Sequence, residues 1–319
     1  MMSMIIGEQN RPIKSTVLIT GGSGLIGRYL TSLLLENGYN VSCLSRSGIK
    51  PGKINVYKWD PERGKIDPDA FKEVDFIVNL AGANIGERRW TNKRKAEIIK
   101  SRSGSLKFLH ETITEMGIPL KAVISASAAG IYGSQTSERI FNEGDSPADD
   151  FLGNVCRLWE GAADLFNASG IRTVKIRTGV VLEKNDSALS KLMKPAKFGF
   201  LVQAGTGNQY MPWIHIEDLC KIYLKAITDS TMHGSYNAVA PQHIKHKEFM
   251  QCLASVMKAV LFPVPVPAAI LKIGLGQMSD VILKGSRVSS EKLIDAGYNF
   301  RFGNLEEALR DVIFNHALK

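Results

Sequence analysis

A chain of 319 residues with 44% hydrophobic and 22% charged residues has the make-up of an ordinary globular protein, which excludes disordered and collagen-like classes. Its formal net charge of +9 invites a nucleic-acid partner, but the basic residues are dispersed without an aromatic-interleaved stripe, so none is expected. The length admits one large α/β unit or a main domain with a smaller lobe.

The four cysteines, Cys43, Cys156, Cys220 and Cys252, form no C-x-x-C pair and have neither zinc-ligand nor disulfide-framework spacing. They read as reduced thiols of a cytoplasmic protein. Met1 to Asn10 hold only a four-residue apolar patch, too short for a signal-peptide core. The longest apolar region, Ala259 to Gly276, is interrupted by Pro263, Pro265, Pro267 and Lys272, and falls short of the ~18 uninterrupted apolar residues of a membrane span. No membrane partner is expected.

In chain order, Thr16–Ile19 is a short buried strand. It is followed by Leu25-Ile26, Tyr29-Leu30 and Leu33-Leu34 at the spacing of one helical face, with Gly38 as the stop. Further strands are predicted at Val41–Leu44, Ile54–Trp59, Asp75–Leu80, Ala122–Ser127, Thr173–Leu182 and Gly234–Ala240. Helices are predicted at Lys95–Met116, Gly153–Ala168 and Ile216–Asp229. Apolar runs alternating with amphipathic stretches imply a doubly wound, parallel α/β sheet of the Rossmann type, covered on both faces. After Pro241 helical patterns dominate (Lys247–Val260, Ala268–Leu275, Ser289–Ala296, Leu305–Phe314). The expected division is therefore a Rossmann domain over 14–240 and a smaller, mainly helical C-terminal lobe over 241–319, with part of 186–212 joining the substrate side. The basic run Arg88 to Lys95 reads as the solvated start of a helix.

Thr20 to Gly27 (T-G-G-S-G-L-I-G) closes the first strand and opens the first helix. In that context glycines at 21, 24 and 27 are a dinucleotide cradle. One supplies the positive φ of a tight turn, close pyrophosphate approach excludes a Cβ, and Gly27 permits close packing. The first helical N–H groups, at Leu25 and Ile26, meet the phosphates. An NAD site usually carries an Asp or Glu about twenty residues on. From Val41 to Trp59 there is no acid, and the second strand instead ends Ser45-Arg46-Ser47, with Lys50 and Lys53 nearby. An arginine there suits a 2′-phosphate, so NADP(H) is the expected cofactor. At the end of the fourth strand, Leu80, Ala81 and Gly82 let the backbone approach the adenine–ribose side, or mark a close packing point.

These motifs, with Asn79-Leu80-Ala81-Gly82 and a Ser127…Tyr132-Gly133 pattern, resemble the extended short-chain dehydrogenase/reductases. More narrowly, Arg89-Trp90, Ser101-Arg102, Ser125 to Ala128, Trp159-Glu160, Arg177 to Leu182 and Pro212 to Leu219 resemble a branch labelled epimerase family protein, sometimes cell-division-inhibitor-like. The stretch from about Ala268 is similar to that branch's terminal domain of unknown function. The resemblance implies NADP(H) contacts at Ser45, Arg46, Leu80, Ala81, Glu97 and Arg102, and an oxidoreductase or epimerase acting on a small molecule. A catalytically silent NADP(H)-binding protein is the rival, and a homo-oligomer is admitted. Glu97 is the odd member, since phosphates repel a carboxylate; it accepts from a ribose hydroxyl or pairs with an arginine.

The resemblance also implies a proton donor, a Tyr activated by Lys four residues later, which lowers the phenol's pKa from about 10. None of the eight tyrosines has that lysine. Aligning Glu160 with the Glu that often follows the motif puts Leu152 and Cys156 at the dyad positions. Substitutes are Tyr132, a donor or a packing residue at the sheet edge, and Ser127, which orients a carbonyl or bonds the backbone. Cys156 reads as a small buried residue and His215 as a mainly structural one.

Overall fold

The computed structural model describes residues 15–46, 54–262 and 264–315. The chain begins with β1 (Thr16–Thr20), α1 (Leu25–Glu36), β2 (Asn40–Ser45), β3 (Asn55–Asp60), β4 (Lys65–Ile66) and β5 (Phe76–Asn79). There follow α2 (Asn92–Ile99), α3 (Ser105–Met116), β6 (Ala122–Ala128), β7 (Ile140–Phe141), α4 (Phe151–Ala168), β8 (Arg172–Thr178) and β9 (Val180–Leu182). Then come α5 (Ala188–Met193), β10 (Phe200–Leu201), β11 (Trp213–His215), α6 (Ile216–Thr228) and β12 (Gly234–Ala238). The remainder is α7 (His246–Met257), β13 (Val260–Leu261), α8 (Ala268–Leu275), α9 (Asp280–Leu283), β14 (Arg287–Val288), α10 (Glu291–Asp295) and α11 (Leu305–Arg310).

The main sheet runs β12-β8-β6-β5-β1-β2-β3-β4, parallel throughout except for β4 against β3. Its central strands are apolar because both faces are covered. Val17, Ile19, Val78 and Ile124 pack under α1 and α6, while Leu18, Ile77 and Val123 pack under α3 and α4. Strand order reverses between β1 and β5, so the crevice for a ligand opens at the carboxyl ends of those strands, at Thr20 and Asn79.

Three expectations need correction. Thr173–Leu182 is two strands, because the chain leaves the main sheet at Gly179, where a Cβ would lie 2.6 Å from the Pro212 carbonyl oxygen; β9 then pairs with β11. Lys95–Met116 is not one regular helix: a π turn at Lys100–Gly104 separates α2 from α3. In the basic run, Arg94 is only 5% exposed and is held by Glu87 and Glu97, so that run is only partly solvated.

A second core joins Leu189 and Leu201 to Phe249, Leu253, Phe302, Leu305 and Leu309, so residues from the 186–212 stretch and from beyond 241 share one packed interior. The tail then returns to the Rossmann half: β14 pairs with β7, and Leu293 and Tyr298 enter the main core. Asp218, on the first turn of α6 and fully buried, fastens this return. Its carboxylate accepts from the Tyr298 hydroxyl (2.8 Å), Arg301 N (3.0 Å) and Phe302 N (2.9 Å). The first-turn dipole alone gave Asp218 a sufficient reason to be there; the clamp is the larger one.

Asp218→Ala should therefore lower unfolding free energy by about 3 kcal/mol, because the Arg301 and Phe302 N–H groups lose their carboxylate acceptor and the Tyr298 hydroxyl keeps only the Asp218 backbone carbonyl. Asp218→Asn should lose less. Urea unfolding followed by circular dichroism reads this, and a midpoint for Asp218→Ala equal to that of the wild type would refute the clamp.

Candidate functional site: the switch-point crevice

The cradle is built by steric exclusion. Gly21 has φ +73°, and a Cβ there would sit 2.9 Å from the Leu80 carbonyl. A Cβ on Gly27 would lie 2.6 Å from the Gly22 Cα and 2.7 Å from the Gly21 oxygen, so only glycine lets α1 sit this close to the turn. Gly24 is the N-cap of α1 and supplies no side-chain cap, and the first turn holds no acidic residue. The leading N–H groups at Leu25, Ile26 and Gly27 thus face the crevice as donors with partial positive charge.

Thr20 and Asn79 weld the two strands that flank the switch. The Thr20 hydroxyl donates to Asn79 Oδ1 (2.7 Å) and accepts from Ala81 N (3.2 Å), and Asn79 Nδ2 donates to Ser125 Oγ (3.3 Å). Both residues are fully buried, so Thr20 orders the backbone of Leu80 and Ala81 rather than opening onto the crevice. On the other side, β1 pairs with β2 in the register Thr20 to Leu44. That register puts half-buried Ser45 and exposed Arg46 immediately beside the cradle. Ser47, Lys50 and Lys53 lie outside the described residues.

The π turn is where the other cation enters. Ser101, Ser103 and Ser105 return their hydroxyls to the carbonyls of Ile98, Ile99 and Ser101 at 2.7–3.1 Å, which loosens the α ladder. Ser101 Oγ also accepts from Ala83 N (3.0 Å), tying the turn to the end of β5. Arg102 then lies against Gly82, where a Cβ would approach the guanidinium carbon to 3.1 Å, and 5.1 Å from the Trp159 ring centroid. Burial pushes its guanidinium down to about 10. Among the described residues no carboxylate lies in ion-pair contact with it, so this desolvated cation suits an anionic ligand. Glu97 resolves toward the second of its two readings: it pairs with Arg94 at 2.7 Å. That hydrogen bond holds its carboxyl below the usual range, with Arg88 and Arg46 adding to the effect.

Ser127 and Tyr132 belong to a different neighbourhood. Arg177 makes a two-pronged contact with Glu160 (Nε–Oε1 2.8 Å, Nη2–Oε2 2.9 Å) and donates to the Tyr132 hydroxyl (2.8 Å). Tyr132 donates to Asn237 Oδ1 (2.7 Å), Ser127 to Glu160 Oε1 (2.7 Å) and Ser235 to Glu160 Oε2 (3.2 Å). Burial drives the Glu160 carboxyl up, but the Arg177 fork and Ser127 outweigh it and leave it below the usual range. The Tyr132 phenol is pushed up to about 12 by burial, against the opposing pull of Arg177. A side chain facing the crevice would carry exposed area; Tyr132 has 0% and Ser127 3%.

At the dyad positions on α4, Cys156 lies close to Gly130, and burial, with Glu160 adding to it, raises its thiol to about 12. Leu152 joins an apolar group with Trp90, Phe151 and Met278. His215 caps α6, its Nδ1 accepting from Glu217 N (3.1 Å) and its ring lying 3.8 Å from that of Phe302. Ser101, Trp159 and the Glu160–Arg177 pair had no assigned role from sequence. Their motifs carried the family resemblance, and Arg177 had a second signal in charge out of place, since β8 reads R-T-V-K-I-R-T in a sheet whose inner strands should be apolar.

Comparison with known proteins agrees with this architecture. The model of the NAD dependent epimerase/dehydratase family matches residues 17–151, and that of a domain of unknown function, DUF1731, matches 266–312. The epimerase family protein YfhF of Bacillus subtilis is 35% identical over 300 residues, covering 93% of this chain and 97% of that protein. The crystal structure of the human epimerase family protein SDR39U1 with NADPH superposes with a TM-score of 0.84 at 31% identity, covering 94% of this chain and all of that one. A nucleoside-diphosphate sugar epimerase from Corynebacterium glutamicum superposes with a TM-score of 0.75 at 31% identity, over 93% of this chain and 58% of that one. The chain belongs to the epimerase family proteins, the branch in which an NAD-dependent epimerase/dehydratase fold is followed by DUF1731.

Proposed function

We propose that this chain binds NADP(H) and works as an oxidoreductase or epimerase on a small molecule, without a tyrosine–lysine relay. The observation that carries the reading is the register of β1 with β2, which sets Ser45 and Arg46 beside an uncapped, acid-free helix N-terminus. That end of α1 and the glycines at 21, 24 and 27 receive the pyrophosphate. Ser45 and Arg46 take the 2′-phosphate, the Leu80–Gly82 backbone borders the cofactor, and Arg102 adds a desolvated cation. The human relative crystallised with NADPH supports the same cofactor here. When bound, the nicotinamide supplies or accepts a hydride.

Ser127 and Tyr132, on this reading, hold the substrate-side wall in place and move no proton. Their burial and the raised Tyr132 phenol support that role. The second reading, a silent NADP(H)-binding protein, is favoured by Leu152 and Cys156 at the dyad positions. NADPH oxidation measured against a carbonyl and nucleotide-sugar panel separates the two: tight binding with no turnover on any compound sinks the enzymatic reading. All four cysteines are free, three of them buried, which suits a reducing compartment, and we place the chain in the cytoplasm. Among the described residues no helix is long and apolar enough to cross a membrane.

Arg46→Ala should weaken NADPH binding by ~10- to 100-fold and leave NADH binding within ~2-fold, as expected for loss of a charge-assisted contact to phosphate. Isothermal titration with both cofactors reads it, and equal losses for both would remove the 2′-phosphate assignment. Gly27→Ala forces a Cβ onto backbone atoms and should cost about 1–3 kcal/mol of stability as well as at least ~10-fold in NADPH affinity. An unchanged melting temperature and affinity would show that the cradle is not sterically set. Tyr132→Phe should cost about 1–3 kcal/mol through the unpaired Arg177 and Asn237 groups while NADPH affinity stays the same. A variant of wild-type stability that loses turnover by ~100-fold or more would restore Tyr132 as the acid.

A further inference from the structure

α8 has the composition of a core helix and the exposure of a surface one. Its eight residues, Ala-Ala-Ile-Leu-Lys-Ile-Gly-Leu, include none that is buried; Ile270 is 59% and Ile273 78% exposed. The helix leaves, at Pro267, a two-stranded ribbon that is equally bare. There Phe198 is 81%, Val260 68% and Val264 62% exposed, and Phe262 about half. The ribbon is ordered by Val260 N to Gly199 O (2.9 Å), Phe262 N to Leu201 O (2.8 Å) and Val266 N to Gln203 O (2.8 Å). These side chains therefore project from fixed backbone. A protein surface rarely carries so many projecting apolar side chains without something to cover them.

Charge identifies what covers it. Between residues 187 and 216 the chain has no acidic residue but carries Lys191, Lys194 and Lys197. Between 249 and 279 it again has none, and carries Lys258 and Lys272. All five lysines are exposed. A two-fold contact with a second copy would set these lysines against one another. A bilayer with anionic headgroups meets both demands at once: phosphates accept the lysines, and the headgroup–acyl boundary takes up projecting phenylalanine and isoleucine side chains. We propose that the surface formed by 194–200, 258–262, 264–266 and α8 docks on anionic membrane. The contact is peripheral, and it replaces the expectation that the chain has no membrane partner.

The test is flotation of the full chain with vesicles of phosphatidylcholine alone and of phosphatidylcholine with phosphatidylglycerol, at low and high salt. Binding is expected only with phosphatidylglycerol, and salt should weaken it. Ile273→Asn with Phe198→Ser, and separately Lys194→Glu with Lys197→Glu, should each lower partitioning ~10-fold or more. Arg63→Glu with Lys65→Glu, the same charge change at the far edge of the sheet, should leave it unchanged; circular dichroism melting checks that every variant is folded. Absence of binding to phosphatidylglycerol vesicles at low salt overturns the proposal. So does an equal effect of both charge reversals with none from the apolar pair, which would mean attraction by net charge alone. A concentration-dependent dimer abolished by the apolar pair, with no vesicle binding, would assign the face to a second copy instead.

Discussion

A carboxylate and a guanidinium taken out of water together hold α4 and three strands of the main sheet in register. Glu160 on α4 and Arg177 on β8 are each about 6% exposed or less, and each offsets the other's burial, with Lys175 a second, longer partner of Glu160 at 3.8 Å. Their two-pronged contact leaves lone pairs and protons to satisfy, and the surrounding elements supply them: Ser127 from β6, Tyr132 from the turn after it, Ser235 from β12 and the Glu143 carbonyl. Such a pair gains little net stability over an apolar replacement of the same shape. Removing one partner, however, strands the other charge. The pair therefore works as a register device, fixing how α4, β6, β8 and β12 meet.

That device consumes the residues from which a proton relay would be drawn. Ser127 at the end of β6 and Tyr132 in the turn after it are turned inward to satisfy Glu160 and Arg177, and the first turns of α4 carry Leu152 and the buried Cys156. The cofactor side is organised differently. It is shaped by absent side chains at Gly21, Gly27 and Gly82, by Arg102, which among the described residues has no carboxylate in ion-pair contact, and by Arg46 at the exposed end of β2. One half of the crevice is thus electrostatically incomplete and the other saturated. A polyanionic ligand would complete the first, while in the second the Tyr132 and Ser127 hydroxyls are paired with Asn237 and Glu160.

The glycine turn between β1 and α1 was legible in the sequence because its determinants are local. A glycine pattern between an apolar strand and an amphipathic helix, and an acid-free end to the next strand, need no tertiary partner to be recognised. The parallel sheet was legible for the same reason, since apolar runs report burial on both faces. What escaped was set by contacts distant in sequence. Tyr132 and Arg177 are 45 residues apart, and Asp218 and Phe302 are 84 apart. From sequence, Tyr132 was a proton donor or a packing residue at the sheet edge, and only the fold showed its hydroxyl donating to Asn237 Oδ1. Gly179 was similarly mute: its meaning is the approach of Pro212, which a strand-like run of Thr-Val-Lys-Ile-Arg-Thr did not announce.

The C-terminal segment behaves less as a separate lobe than as a strap laid back over the sheet. Asp218 clamps 298–302, β14 extends β7, and Ser286 donates to the Gly133 carbonyl (2.8 Å) beside Tyr132. α8 is the part of the strap that touches least, yet its ends are fixed. At one end the chain has just bridged Val266 to Ala204; at the other, Gly276 lies against Arg89 and Gln277 accepts from Lys95. A helix so anchored cannot swing inward to bury Ile270 and Ile273 without breaking both attachments. Its apolar face is therefore held outward by construction, and those same anchors connect it to the 89–95 stretch that leads into α2 and the Arg102 turn.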